Sequence, residues 1–120
     1  MKIEEIKDNI KNKIADLASV TLDNKPHTIA VEVNEVKDNK IIITDNQMKN
    51  TPKDIKNNPN VSLVFWEGKK DEERGWRING KAEYYDSGKY LDFVKSLKEN
   101  KGCLTKGAIV IKVEEIKELG

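Results

Sequence analysis

Ile3, Ile6, Ile10, Ile14 and Leu17 recur at three- and four-residue steps with charged residues between them, the pattern of an amphipathic surface helix. SVTL at 19–22 then reads as a strand, closed by the turn Asp23-Asn24-Lys25-Pro26, and a second strand runs from His27 to Glu35. Lys37-Asp38-Asn39-Lys40 turns the chain, and IIIT at 41–44 brings it back. After the polar DNQMKN, the run Thr51-Pro52-Lys53-Asp54 has the form of a helix start. Threonine suits the cap, proline suits the first helical position, and an acid three residues on resembles a capping box. Asn57-Asn58-Pro59-Asn60 stops that helix. VSLVFW at 61–66 and WRINGKAEYY at 76–85 are strands joined by the charged connection GKKDEER at 68–74, and Gly80 weakens the second of them or marks a bulge. Asp86-Ser87 caps a helix carrying Tyr90, Phe93, Val94 and Leu97 on one face, and AIVIKV at 108–113 is the last strand.

That order of elements predicts a mainly β chain of α+β type. Six strands would form a closed or nearly closed antiparallel barrel with short helices at its corners, as one domain over 1–120. IIIT, VSLVFW and AIVIKV are apolar on both alternating faces, so they need cover outside the barrel as well as inside. Short helices cover only part of that surface, and a second copy in a two-fold dimer would supply the rest. The alternative is that the helices suffice.

Composition narrows the function. Apolar residues make up 37% of the 120 and charged residues 36%, but the apolar ones gather in periodic blocks, so the chain folds rather than staying disordered. The 22 basic and 21 acidic residues leave a net charge of +1 and no basic stripe, which argues against a nucleic-acid partner. The opening MKIEEIKDNIKNK is no secretory signal, and no later run is long enough to span a bilayer, so a cytoplasmic location and no membrane partner are expected. Cys103 is the single cysteine and His27 the single histidine, which leaves no internal disulfide, no zinc ligand set and no nucleophile–histidine grouping. Neither GxGxxG nor a P-loop is present. His27 reads as structural. Trp66 and Trp76 read as core or interface residues, with Trp76, beside Gly75, open to a cofactor role as well.

The chemistry with most promise lies at the short helix. Lys49, the Thr51 hydroxyl and Lys53 surround a helix N-terminus, where free backbone N–H groups and the positive dipole end meet two ammonium groups. A phosphate fits such a place. Equally, Thr51 would serve as a cap and the lysines as solvated charges.

In its segments SVTLDNKPHTIAVEV, IIITDNQMKNTPKDIKNNPNVSLVFW, GWRINGKAEYYDSGKYLDF and GAIVIKVEEI, taken in that order, the chain resembles the pyridoxamine 5′-phosphate oxidase-like FMN-binding split-barrel superfamily, above all its short bacterial members. The resemblance implies a six-stranded antiparallel split β-barrel with short flanking helices. It implies FMN as cofactor and a homodimer with the cofactor at the subunit interface. Lys49, Asn50 and Thr51 would hold the FMN phosphate, Ala30, Val31 and Glu32 would lie along the ribityl chain and ring, and Thr44, Asp45, Gln47 and Met48 would pass close to the isoalloxazine. Trp76 and the loop containing Leu104 would reach in from the other subunit. The implied role is that of an oxidoreductase or electron carrier serving a small-molecule or protein redox partner, with no catalytic side chain required. Asn50 stands where many relatives have a base, and Ala30 to Glu32 stand where relatives commonly have an aromatic or basic residue. These departures keep open a binding module for flavin, deazaflavin or heme, or a barrel without cofactor.

Overall fold

The computed structural model of the chain describes residues 1–69 and 72–119. A 3-10 turn, Ile3–Ile6, runs into a single turn of helix α1, Lys7–Ile10. The long first helix expected through Leu17 is therefore corrected. Asn12 adopts a left-handed backbone (φ 64) and ends the helix, and residues Ile14–Val20 form strand β1. The same residues also carry a two-residue period, with Ala15, Leu17 and Ser19 pointing inward. That period wins because β1 finds a ladder in strand β2, Pro26–Lys37, with Ile14 opposite Glu32 and Val20 opposite Pro26.

Asp38 and Asn39, both with positive φ, make the two-residue turn from β2 into β3, Lys40–Asp45. Helix α2, Thr51–Asn57, leads to β4, Asn60–Lys69, which pairs with β5, Glu72–Tyr85. The charged connection expected at 68–74 is thus mostly strand, and its centre at 70 and 71 lies outside the described residues. Helix α3, Lys89–Ser96, and a 3-10 turn, Lys98–Asn100, precede β6, Gly107–Leu119. Gly88, not Asp86 or Ser87, stands at the cap of α3. The six strands close as an antiparallel barrel in the order β1-β2-β3-β6-β5-β4. At Gly80 the β5–β6 register shifts, and a Cβ there would lie 2.3 Å from the Lys112 carbonyl oxygen, so the strand kinks where only glycine fits. No helix among the described residues is long and apolar enough to cross a membrane.

The barrel interior holds Leu17, Val33, Ile41, Ile43, Leu63, Trp76, Ile78, Ile109 and Ile111, with Ile3 and Ile10 plugging from the N-terminal turns. Outside, Ile42, Ala108 and Val110 pack under Leu91 and Val94 of α3. The two-sided burial of β3 and β6 is thereby satisfied within the chain. β4 differs: Val64 is half-buried and Trp66 stays 52% exposed.

Glu35 ties the N-terminal helix to the barrel. Its carboxylate lies 3.2 Å from Lys7 Nζ and 3.3 Å from Lys11 Nζ, and it accepts the Val36 N–H at 2.9 Å. Partial burial pushes its pKa up, but the Val36 N–H and the two lysines together hold it below the ordinary carboxylate value of 4.5. A lowered folded pKa adds stability that is complete above the unfolded value and lost as pH falls through the folded one. Because both lysines stay half in water, Glu35→Gln is expected to cost roughly 0.5–1 kcal/mol at neutral pH. Urea unfolding of the two proteins should converge as pH falls through the lowered pKa of Glu35. A difference independent of pH would show that the ion pairs contribute nothing.

Candidate functional site

The apolar alternation of β2 slips once: Val31 and Val33 are two apart, Val33 and Val36 three. The slip is a bulge. Val33 pairs with Ile43 and Glu35 with Ile42, which leaves Asn34 as the extra residue. N-terminal to the bulge β2 pairs only with β1, because β3 ends at Asp45 and the chain departs into the loop 46–50. Alternate backbone groups of β2 therefore face a gap rather than a neighbouring strand. The gap is a cleft of about 640 Å³, lined by His27, Ile29, Ala30, Val31, Glu32 and Asn34 on one side and by Thr44, Asn46 through Thr51 and Asn100 on the other. Clefts of about 300–1,000 Å³ accept ligands of cofactor size.

The far wall is held from beneath. Asp45 is fully buried and accepts the Met48 N–H at 2.7 Å and the Tyr84 hydroxyl at 2.6 Å. Lys106 donates its backbone N–H to the Asp45 carbonyl (2.9 Å) and its ammonium to the Met48 carbonyl (2.8 Å). Burial, and after it the Asp45 carboxylate, pushes the Tyr84 phenol far above its ordinary range, so it stays a neutral donor. The Tyr84 ring fills the space above Gly107, where a Cβ would come within 2.3 Å of it.

At the entrance to α2 the backbone turns one residue earlier than expected. Asp54 N–H bonds to the Asn50 carbonyl at 3.0 Å, so Asn50 is the cap residue, without a side-chain capping bond. Thr51 is the first helical residue and Pro52 the second. The expected threonine cap and capping box are absent: Thr51 is buried at the cleft wall, and Asp54 Oδ2 is buried without a hydrogen-bond partner. Lys53 is exposed and not on the wall.

Of the residues singled out from sequence, Lys49, Asn50, Thr51, Ala30, Val31, Glu32, Thr44, Gln47 and Met48 come together around this one cleft. Asp45 lies under it as a buried anchor. Trp76 and Leu104, expected from the other subunit, lie outside this chain's own cleft. Trp76 points into the barrel, opposite Phe65 and fully buried, so it is not available to reach into another subunit's cleft. Leu104 is 91% exposed and lines no part of the cleft. Sequence reasoning missed His27, Ile29, Asn34, Asn46 and Asn100. The slipped alternation marks Asn34, but nothing local brings Asn100 back to Thr44, whose hydroxyl it meets at 2.9 Å. Among the described residues no cluster of three or more metal-ligating side chains occurs.

Residues 3–120 match the family model described as pyridoxamine 5′-phosphate oxidase. The chain belongs to that family. Among its relatives is an uncharacterised protein of Methanocaldococcus jannaschii, 34% identical over 97% of this chain and 79% of its own length. The structure is similar to that of HupZ from Group A Streptococcus, at 26% identity, a TM-score of 0.86, and coverage of 99% of this chain and 94% of that one. It shares its fold with an FMN-binding protein from Syntrophomonas wolfei, at 14% identity, a TM-score of 0.75, and coverage of 94% of this chain and 80% of that one. The barrel is thus the split barrel of the pyridoxamine 5′-phosphate oxidase family, and the cleft lies where β2 parts from the loop after β3.

Proposed function

We propose that the cleft binds FMN and that the protein is an FMN-dependent oxidoreductase or electron carrier. The observation that carries this reading is the meeting, in one cleft, of a cationic hydroxyl-bearing segment, Lys49 to Thr51, with the unpaired backbone edge of β2. The donor chemistry fits. Lys49 forms no ion pair among the described residues, the α2 entrance offers free N–H groups, and Thr51 adds a hydroxyl, so a phosphate has both charge and hydrogen bonds to meet. Ile29, Val31 and Met48 add apolar surface for a flat ring, and membership of the family, with a fold shared by the FMN-binding protein of Syntrophomonas wolfei, supports FMN as the occupant.

When bound, FMN supplies acceptance of a hydride or of single electrons at its ring. The chain's part is to hold and orient. Lys49, Asn50 and Thr51 grip the phosphate, the β2 edge and the backbone of 44–48 flank the ring, and the Asp45–Tyr84–Lys106 anchor keeps that loop in place. No acid–base pair is needed for that role. Purified protein is expected to be yellow, to release FMN on denaturation, and to rebind it at micromolar concentration with quenching of flavin fluorescence. A colourless protein that takes up no FMN would sink the reading. Anaerobic bleaching by NADH or NADPH separates a self-sufficient reductase from a carrier reduced by another protein.

The same reading makes the protein a cytoplasmic homodimer. On the outer face Ile14 is 66% exposed and Trp66 52%, and the register that sets Asp16 opposite Val64 makes them neighbours. Val64 pairs with Arg77, whose Nε is buried without a partner, and Ile14 pairs with Glu32 at the cleft rim. A second copy seated on this face by a two-fold axis would cover the apolar pair and border the cleft. Trp66 thereby takes the role first assigned to Trp76. Sedimentation is expected to show a dimer, and Trp66→Glu a monomer with weakened FMN binding. A wild-type monomer that holds FMN would overturn the dimer.

A further inference from the structure

We propose that Asn34 is the specificity-determining donor of the cleft, its side-chain N–H groups fixed to meet a hydrogen-bond acceptor on the cofactor's ring. The inference rests on the flavin reading above. Asn34 is the bulged residue of β2, is 4% exposed and lines the cleft. Its Oδ1 accepts both the Thr44 N–H at 2.9 Å and the Thr44 hydroxyl at 2.8 Å. A backbone N–H only donates, so the amide has one orientation and Nδ2 is its free edge. Nδ2 has a single long contact, 3.5 Å to Glu99 Oε1.

Asn100, the other buried amide of the wall, is occupied. Asn100 Nδ2 donates to the Thr44 hydroxyl and, at 2.7 Å, to the Val94 carbonyl; Asn100 Oδ1 accepts from Asn46 at 3.2 Å, and Asn46 Oδ1 accepts the Thr105 hydroxyl at 2.7 Å. Asn34 is thus the buried amide in this wall with an N–H left over, whereas Asn46, Gln47 and Asn50, which also keep donors, are partly or fully exposed to water. Glu99 takes one of the two Nδ2 N–H groups, and a ligand that presents a carbonyl or ring nitrogen can accept the other. The pyrimidine edge of a flavin carries such acceptors. A donor aimed there binds more strongly as negative charge grows on the ring, and so favours the reduced form.

Asn34→Asp is the informative variant, because a carboxylate keeps both acceptors for Thr44 and nearly the same shape but has no N–H. FMN and riboflavin are expected to lose affinity by the same factor, about tenfold, as for loss of one hydrogen bond. The reduction midpoint of the bound flavin should move to more negative potential, and the melting temperature should fall somewhat because the new carboxylate is buried beside Glu99. A purely structural Asn34 predicts unchanged affinity and potential, and that result overturns the proposal, as does a loss confined to FMN. In the wild-type chain the Asn34 side-chain amide signals should shift downfield in an NMR titration with riboflavin; signals that stay in place while riboflavin binds overturn it even if the variant fails to fold. A wild-type chain that binds neither flavin overturns the cofactor assignment itself.

Discussion

Lys49→Ala combined with Thr51→Ala is expected to raise the FMN dissociation constant about a hundredfold, through loss of two charge-assisted contacts of roughly 1.5 kcal/mol each. Riboflavin affinity should change by less than about threefold, because the two ligands differ only in the phosphate and neither residue is assigned to the ring. Both constants are read from quenching of flavin fluorescence in one buffer at one ionic strength. Salt must be fixed, since Lys49 is exposed and its attraction is screened. Lys53→Ala is the control. It removes a charge of the same sign from the same helix, but from outside the cleft wall, and should leave FMN binding within about twofold. Equal loss of FMN and riboflavin in the double variant would show that Lys49 and Thr51 shape the cleft without holding phosphate.

The experiment turns on a detail visible only in three dimensions. From sequence, Thr51 is a cap whose hydroxyl would bond to its own helix. In the structure Asn50 occupies the cap and Thr51 is part of the cleft wall. Local capping rules identified the helix and its start to within a residue, but the single-residue offset decides whether a hydroxyl serves the helix or a ligand. The first helix failed for a related reason. Ile10, Ile14 and Leu17 satisfy a helical period and Ala15, Leu17 and Ser19 a strand period, and only the presence of β2 as a pairing partner selects between them.

Gly80 was legible because a glycine inside an apolar strand has few other meanings, and the shift in register is there. The cleft was legible in its contiguous parts, 30–32 and 44–51, since adjacent strands and their connecting loop stay together in space. Asn100 was not, because it returns to Thr44 from 56 residues away through α3, and no local pattern encodes that distance. His27 was read as structural from its place after a turn. Its position on the open edge of β2 depends on β3 having already departed.

Trp76→Ala is expected to be the most damaging single change, costing about 3–5 kcal/mol, a large fraction of the roughly 5–15 kcal/mol that holds a domain together. Trp76 is fully buried, sits across from Phe65 on the inner face of the β4–β5 pair, and has the Arg74 guanidinium 4.8 Å from its ring, so truncation opens a cavity in the barrel interior that its strands cannot close. Trp76→Phe should cost far less, about 1 kcal/mol, for a specific reason. The Trp76 indole N–H is buried without an acceptor, so phenylalanine gives up volume but also removes an unsatisfied donor. Urea unfolding at constant slope measures both. The two variants also decide between the roles the sequence left open for this residue. A core tryptophan gives the order alanine far worse than phenylalanine at any protein concentration. A tryptophan at a subunit boundary gives variants that dissociate at concentrations where the wild-type chain stays paired, and that dissociation would contradict its place inside the barrel.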